Sequence, residues 1–104
     1  METHNAHAGQ GPVLLDIGGD IGALVLRMPA GLVGSEVEAR PVEHADGWSH
    51  LPHVGVLVRG GLGSTAVFGE LPEGDYQLYL RPAGAVALTV RVRGGEVTEA
   101  DWPL

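Results

Sequence analysis

The chain has 104 residues, with 13 acidic residues, six arginines and no lysine, so its formal net charge is −7 at pH 7. This length suits one small domain. The acidity argues against nucleic-acid binding, because that affinity depends on clustered positive charge. The chain has no cysteine, which excludes disulfides, thiolate zinc sites and cysteine nucleophiles.

The N-terminal residues carry little to bury and no targeting signal. Residues 1–11 are polar and lack the basic and apolar segments of a signal peptide. No apolar run approaches the ~20 residues that a membrane-spanning helix needs. We therefore expect a cytoplasmic protein without membrane association, consisting of a flexible arm at residues 1–11 and one domain at residues 12–104.

Short apolar runs separated by glycine and proline fill residues 12–104, and none shows a sustained helical period. The alternation of apolar and polar residues predicts strands at 13–17, 21–28, 35–41, 53–59, 65–71, 76–80, 86–92 and 97–102. Turns recur every 8–12 residues or so, as is typical of sandwiches and small barrels. The fold class predicted is all-β, a seven- or eight-stranded antiparallel β-sandwich.

The run at 35–41 shows the clearest alternation in the chain. Val37 and Ala39 fall on one face, and Glu36, Glu38 and Arg40 fall on the other. Because successive strand residues point to opposite faces, we expect the three charged side chains to lie in solvent.

One motif in the second half of the chain resembles a known fold. Residues 71–78 have the sequence Leu-Pro-Glu-Gly-Asp-Tyr-Gln-Leu, with Phe68 before them. The pattern resembles the turn and strand of prealbumin-like sandwiches, such as Cna-B-type repeats and the regulatory domains of carboxypeptidases. The resemblance implies a prealbumin/immunoglobulin-like sandwich. The lysine–asparagine isopeptide of Cna-B repeats is absent, because the chain has no lysine.

A broader pattern over residues 12–102 resembles a group of small actinobacterial proteins. It comprises Gly-Pro-Val-Leu-Leu-Asp-Ile-Gly-Gly-Asp-Ile near the start, His-Val-Gly-Val at 53–56, and Gly-Gly-Glu-Val-Thr-Glu-Ala-Asp-Trp at the end. This resemblance implies relatives but no activity.

Three histidines lie within ten residues of one another, at His44, His50 and His53. Neutral imidazole is a common ligand of zinc, copper and nickel, so the three could hold one such ion. Residues three apart on a strand point to opposite faces, so His50 and His53 would need a bend at Pro52 to meet. The alternative is that the histidines are solvated or hydrogen-bonded at the start of a strand.

No arrangement in the sequence favours catalysis. The run Asp16-Ile-Gly-Gly-Asp20 resembles the phosphate-binding hairpin of sugar kinases, but this chain is too short for their two lobes. No serine lies in a Gly-x-Ser-x-Gly elbow. We predict that the protein is not an enzyme and has neither catalytic residues nor a cofactor-binding site, apart from a transition-metal ion at the histidines.

Strand edges and exposed tryptophans favour interaction with a protein partner or with a second copy. A sandwich without lysine has few charged residues to protect its edges from pairing. Trp102 is expected to close one end of the sandwich, whereas Trp48 suits either a lid or a partner contact. Two functions thus remain open: a non-enzymatic binding or accessory protein that self-associates through strand edges, and a metal-binding protein using His44, His50 and His53.

Overall fold

The computed structural model describes residues 15, 17–42, 53–61, 63–82 and 84–103. The elements in these residues are β1 (Ile21–Arg27), a 3₁₀ turn (Ala30–Leu32), β2 (Glu36–Pro41), β3 (Val54–Leu57), β4 (Thr65–Pro72), β5 (Gly74–Leu80), β6 (Leu88–Val92) and β7 (Val97–Asp101). The described part of the chain is therefore all-β, as predicted. None of its helices is long and apolar enough to cross a membrane.

The strands form two packed sheets, which confirms the predicted sandwich architecture. One sheet has three strands in the order β4-β1-β7, and the other has four in the order β3-β2-β5-β6. The chain crosses between the sheets after β1, after β3, after β4 and after β6. Each sheet buries one face against the other, because alternating side chains of each strand point into the space between them.

The prediction that all pairings are antiparallel is wrong for one pair. β1 and β7 run parallel, with Leu24 opposite Thr98 and Arg27 opposite Asp101, whereas the other four pairings are antiparallel. Short glycine turns between apolar runs predict only hairpins, which are antiparallel. A parallel pairing between distant strands has no such local signal, because it depends on the path of the whole chain.

The core lies between the two sheets and is mostly aliphatic. Its largest fully buried side chains are Tyr76, Phe68, Leu24, Leu26, Leu71 and Leu78. β1 is buried over most of its length because it is the central strand of its sheet. Trp102 packs against this core, as expected for a residue that closes one end of the sandwich.

The predicted strand at 13–17 falls mostly outside the described residues. Its two described members, Leu15 and Ile17, belong to no strand. The tight turn predicted after them is present, with Gly18 and Ile21 exchanging backbone hydrogen bonds and Gly19 at a φ of +57°. The turn at Gly94-Gly95 is also present, with Gly95 at a φ of +75°.

Candidate functional site

The structure describes one of the three histidines predicted to bind a metal. His53 directly precedes β3, and its Nδ1 atom lies 2.8 Å from Oε2 of Glu38 on β2. His44 and His50 lie outside the described residues. Among the residues that are described, no group of three or more potential ligands could hold a metal ion.

Glu38 lies at the centre of a polar cluster on the outer face of the four-stranded sheet. It accepts hydrogen bonds from Nδ1 of His53, from the Arg81 guanidinium at 2.9 Å and from the Tyr79 hydroxyl. Tyr79 is the cross-strand partner of Glu38 on β5, so the strand register itself brings these two side chains together. The cluster joins β2, β5 and the residue before β3.

Burial of Glu38 contradicts the prediction that the charged face of β2 lies in solvent. Glu36 is exposed and Arg40 is partly exposed, but Glu38 retains only 7% of its exposure and is the one buried charged residue in the described part of the chain. His53, Tyr79 and Arg81 all hydrogen-bond to the carboxylate and so surround it with protein groups. Hydrogen bonds from Tyr79, His53 and Arg81 hold the pKa of Glu38 below its ordinary value.

Arg40 extends this network along the sheet. Its guanidinium donates from Nε and Nη2 to Oε1 of Gln77, at 3.2 and 2.8 Å, and lies 5.1 Å from the centre of the Tyr79 ring. The guanidinium thus covers one face of Tyr79. Most polar groups of the cluster are hydrogen-bonded to one another. The cluster therefore connects neighbouring strands and leaves few side-chain groups available to coordinate an ion or bind a molecule.

A different feature distinguishes β3, which forms one edge of the four-stranded sheet. Its sequence is Val-Gly-Val-Leu, and it alone of the seven described strands contains no charged residue. Charged residues are one of the features that protect an exposed edge against pairing with another chain. Leu57 at the end of β3 retains 52% of its exposure, the highest value among the large exposed apolar residues of the described chain.

The hydrogen-bond pattern shows which backbone groups of β3 face outward. The N–H of Arg81 donates to the carbonyl of Glu36, so the Glu36 backbone faces β5. Leu57 lies opposite Glu36 and therefore directs its own N–H and C=O away from β2. By the alternation of an antiparallel ladder, Gly55 does the same, and both residues are exposed.

A small cleft lies beside the end of β7. It has a volume of about 420 Å³ and is lined by Arg27, Met28, Pro29, Asp101 and Trp102. Arg27 pairs with Glu99 at 2.7 Å and with Asp101 at 2.5 Å. These hydrogen bonds raise the pKa of Arg27 and lower that of Asp101. The charges beside the cleft are therefore satisfied within the chain.

In comparisons with known proteins, no protein-family model, no curated protein and no solved structure matches the chain.

Two residues of the site, Glu38 and Leu57, have no individual signal in the sequence. The alternation in 35–41 predicts the same exposure for Glu38 and for Glu36. Only the pairing of Glu38 with Tyr79 across the sheet distinguishes the two residues. For Leu57, the available signal is the absence of charge in Val-Gly-Val-Leu, which marks an exposed edge only once the strand order is known.

Proposed function

We propose that this protein is a small, cytoplasmic, non-enzymatic interaction module that binds an extended protein segment by strand addition at the outer edge of β3, from Gly55 to Leu57 and ending before Arg59, whose backbone is bonded to Thr65. The observation that carries the proposal is the uncharged edge strand whose Gly55 and Leu57 direct their backbone groups outward. An added strand would pair with those groups, and Leu57 would supply apolar contact beside them.

Other edges of the two sheets suit this role less well. β7 carries Glu99 and Asp101, which are engaged with Arg27 of the same sheet. β6 carries Arg91, which pairs with Asp75 at 3.0 Å. β4 contains Glu70, ends at Pro72 and pairs irregularly with β1. Charges, proline and bulges of this kind oppose strand addition.

Selection from a displayed library of random linear 12-residue peptides tests the proposal. Peptides that bind the wild-type protein should perturb the backbone amide resonances of Gly55 and Leu57. They should bind at least tenfold more weakly to Leu57→Lys, because the new charge opposes pairing at the edge. Val97→Lys is the matched control. Like Leu57, Val97 is an exposed aliphatic residue, with a relative exposure of 41%, but it lies in the other sheet.

Failure to select any peptide, or selection of peptides that bind Leu57→Lys as well as wild type, would contradict strand addition at β3.

We infer a second candidate function, transition-metal binding at His44, His50 and His53, from the contact between His53 and Glu38. A carboxylate that accepts from Nδ1 leaves Nε2 of the imidazole as the metal-binding atom, which is the usual arrangement around a bound zinc. Metal analysis of untagged protein tests it. Less than about 0.2 zinc, copper or nickel per chain, with no thermal shift on adding these ions, would exclude the site.

We also propose that the sandwich is of the prealbumin/immunoglobulin-like type and that the chain is related to small actinobacterial proteins. The support is the turn from β4 to β5, where the hydroxyl of Tyr76 donates to the carbonyl of Pro72 at 2.5 Å as the chain crosses between sheets. A tyrosine at such a corner is typical of these sandwiches. A crystal structure whose strand orders differ from β4-β1-β7 and β3-β2-β5-β6 would contradict this assignment.

A further inference from the structure

A carboxylate lies over the outer face of β3 at Gly55. Glu36 is the cross-strand partner of Leu57 on β2, and its side chain extends along the sheet until Oε2 occupies the place where a Cβ at position 55 would lie. Because glycine has no side chain, the Glu36 carboxylate can lie directly over the edge strand. A residue with a side chain at position 55 would have to displace it.

This carboxylate is available to a bound segment. Glu36 is exposed, and among the described residues it has no ion-pair partner. In an added strand, the Cβ of the residue opposite Gly55 would lie roughly 5 Å from the same point on the outer face. A lysine or arginine at that place can turn its charged end back to the carboxylate, because its side chain is long and flexible.

The charge at the other end of the exposed edge has the opposite sign. Arg59 follows Leu57 by two residues and is exposed. Its side chain lies on the same outer face as that of Leu57, because Val58 between them is buried in the core. Arg59 would repel a basic residue placed opposite Leu57, whereas the exposed Leu57 side chain offers apolar contact there.

We propose that the segment bound at β3 is basic and pairs antiparallel with β3, with an apolar residue opposite Leu57 and, two residues later, a lysine or arginine opposite Gly55 that forms an ion pair with Glu36. This inference rests on the proposed function, whose binding edge it uses. In the antiparallel arrangement, Gly55 and Leu57 can each exchange both backbone hydrogen bonds with the residue opposite. The formal charge of −7 adds attraction between the protein and a basic segment.

Peptide selection on charge variants tests the proposal. The displayed 12-residue library is selected at pH 7.5 on wild type, on Glu36→Lys and on Glu70→Lys. Peptides from wild type should share an apolar residue followed two positions later by lysine or arginine. Peptides from Glu36→Lys should instead carry aspartate or glutamate at the second of these positions, because the charge that faces it is reversed.

Glu70→Lys is the matched control. Glu70 is also exposed and has no ion-pair partner among the described residues, but it lies on β4 in the other sheet. The two variants have the same net charge, so a general attraction of basic peptides to an acidic protein would change equally in both. Selection on Glu70→Lys should therefore retain the wild-type pattern. Circular dichroism on each variant confirms that it is folded.

Titration calorimetry with one selected peptide measures the ion pair itself. Replacing the basic residue of the peptide by glutamine should weaken binding to wild type about twofold to fivefold, as is typical of an exposed ion pair. The same replacement should leave binding to Glu36→Gln nearly unchanged, because the carboxylate is already absent there. An equal loss on wild type and on Glu36→Gln would show that Glu36 is not the partner of the basic residue.

The outcomes separate this inference from the function on which it rests. Peptides that lose binding to Leu57→Lys but carry no basic residue in this register would overturn the inference and leave strand addition at β3 standing. A basic residue enriched equally on wild type and on Glu36→Lys would also overturn it. Enrichment of the reverse order, basic before apolar, would contradict the antiparallel arrangement. Failure to select any peptide would remove both the proposed function and this inference.

Discussion

Tyr76 holds the corner at which the chain passes from one sheet to the other. Its ring is fully buried in the core, and its hydroxyl reaches back to the carbonyl of Pro72. Burial raises the pKa of Tyr76 to about 12, because the charged phenolate is poorly solvated there. The residue therefore combines an apolar contribution to the core with one local hydrogen bond that fixes the turn.

We expect Tyr76→Phe to lower the free energy of unfolding by about 1–2 kcal/mol, because the ring stays in the core while the Pro72 carbonyl loses its donor. Urea denaturation at pH 7 measures the change. An unchanged midpoint would show that the hydrogen bond to Pro72 contributes nothing to stability.

Glu38 is expected to make stability depend on acid pH. Its folded pKa lies below the ordinary value of 4.5, so its stabilising effect is complete above that value and is lost as pH falls through the folded pKa. Glu38→Gln should lower the unfolding midpoint at pH 7, and the difference from wild type should shrink towards pH 3. Thermal unfolding across this pH range measures both.

Glu36→Gln is the matched control for Glu38, since Glu36 is an exposed carboxylate on the same strand and the same face. A loss in Glu36→Gln as large as that in Glu38→Gln would mean that burial and the hydrogen bonds of the cluster are not the cause.

At the scale of elements, the turn between β6 and β7 crosses closely over the start of β1. The N–H of Gly95 donates to the carbonyl of Ile21, and the N–H of Ala23 donates to the carbonyl of Glu96. Gly22 lies between these two bonded residues, and a Cβ there would overlap the carbonyl of Arg93. Glycine at this position thus allows β1 and the β6–β7 turn to meet.

Gly22→Ala should therefore lower the free energy of unfolding by about 2–4 kcal/mol, because backbone rather than a flexible side chain would have to move. Gly31→Ala, in the 3₁₀ turn where a Cβ would meet nothing, should change it by less than about 0.5 kcal/mol. Chemical denaturation compares the two. Equal effects would contradict the close approach.

The alternation of apolar residues predicts the approximate positions of the seven described strands but not their pairing. For example, Tyr76, Leu78 and Leu80 predict a strand at 76–80, and β5 occupies Gly74–Leu80. The parallel contact of β1 with β7 could not be predicted in this way, because no local pattern specifies which distant strands become neighbours. The same limit explains Glu38, whose burial depends on Tyr79 being its partner across the sheet.

Across the whole molecule, net charge opposes association. At pH 7 each copy carries a formal charge of −7, and its isoelectric point is about 5.0. Mutual repulsion of such molecules limits growth beyond small assemblies at neutral pH.

Lowering the pH from 7.5 to 5.0 should therefore produce aggregates, because the net charge falls to about zero at the isoelectric point. Dynamic light scattering at fixed concentration and salt measures this growth, and Leu57→Lys should reduce it. A sample that stays monodisperse at pH 5.0 would show that charge is not what limits assembly.

The pairing of β1 with β7 also affects when each of the two sheets can be completed during synthesis of the chain. β1 is among the first strands to be synthesised, yet one of its two neighbours is the last strand described, some seventy residues later. During translation the three-stranded sheet must wait for residues 97–101, whereas β2, β3, β5 and β6 are complete before them. β1 therefore keeps one unpaired side until the last described strand has been made, and completing its sheet requires a contact between residues some seventy positions apart, which is a slow kind of contact to form.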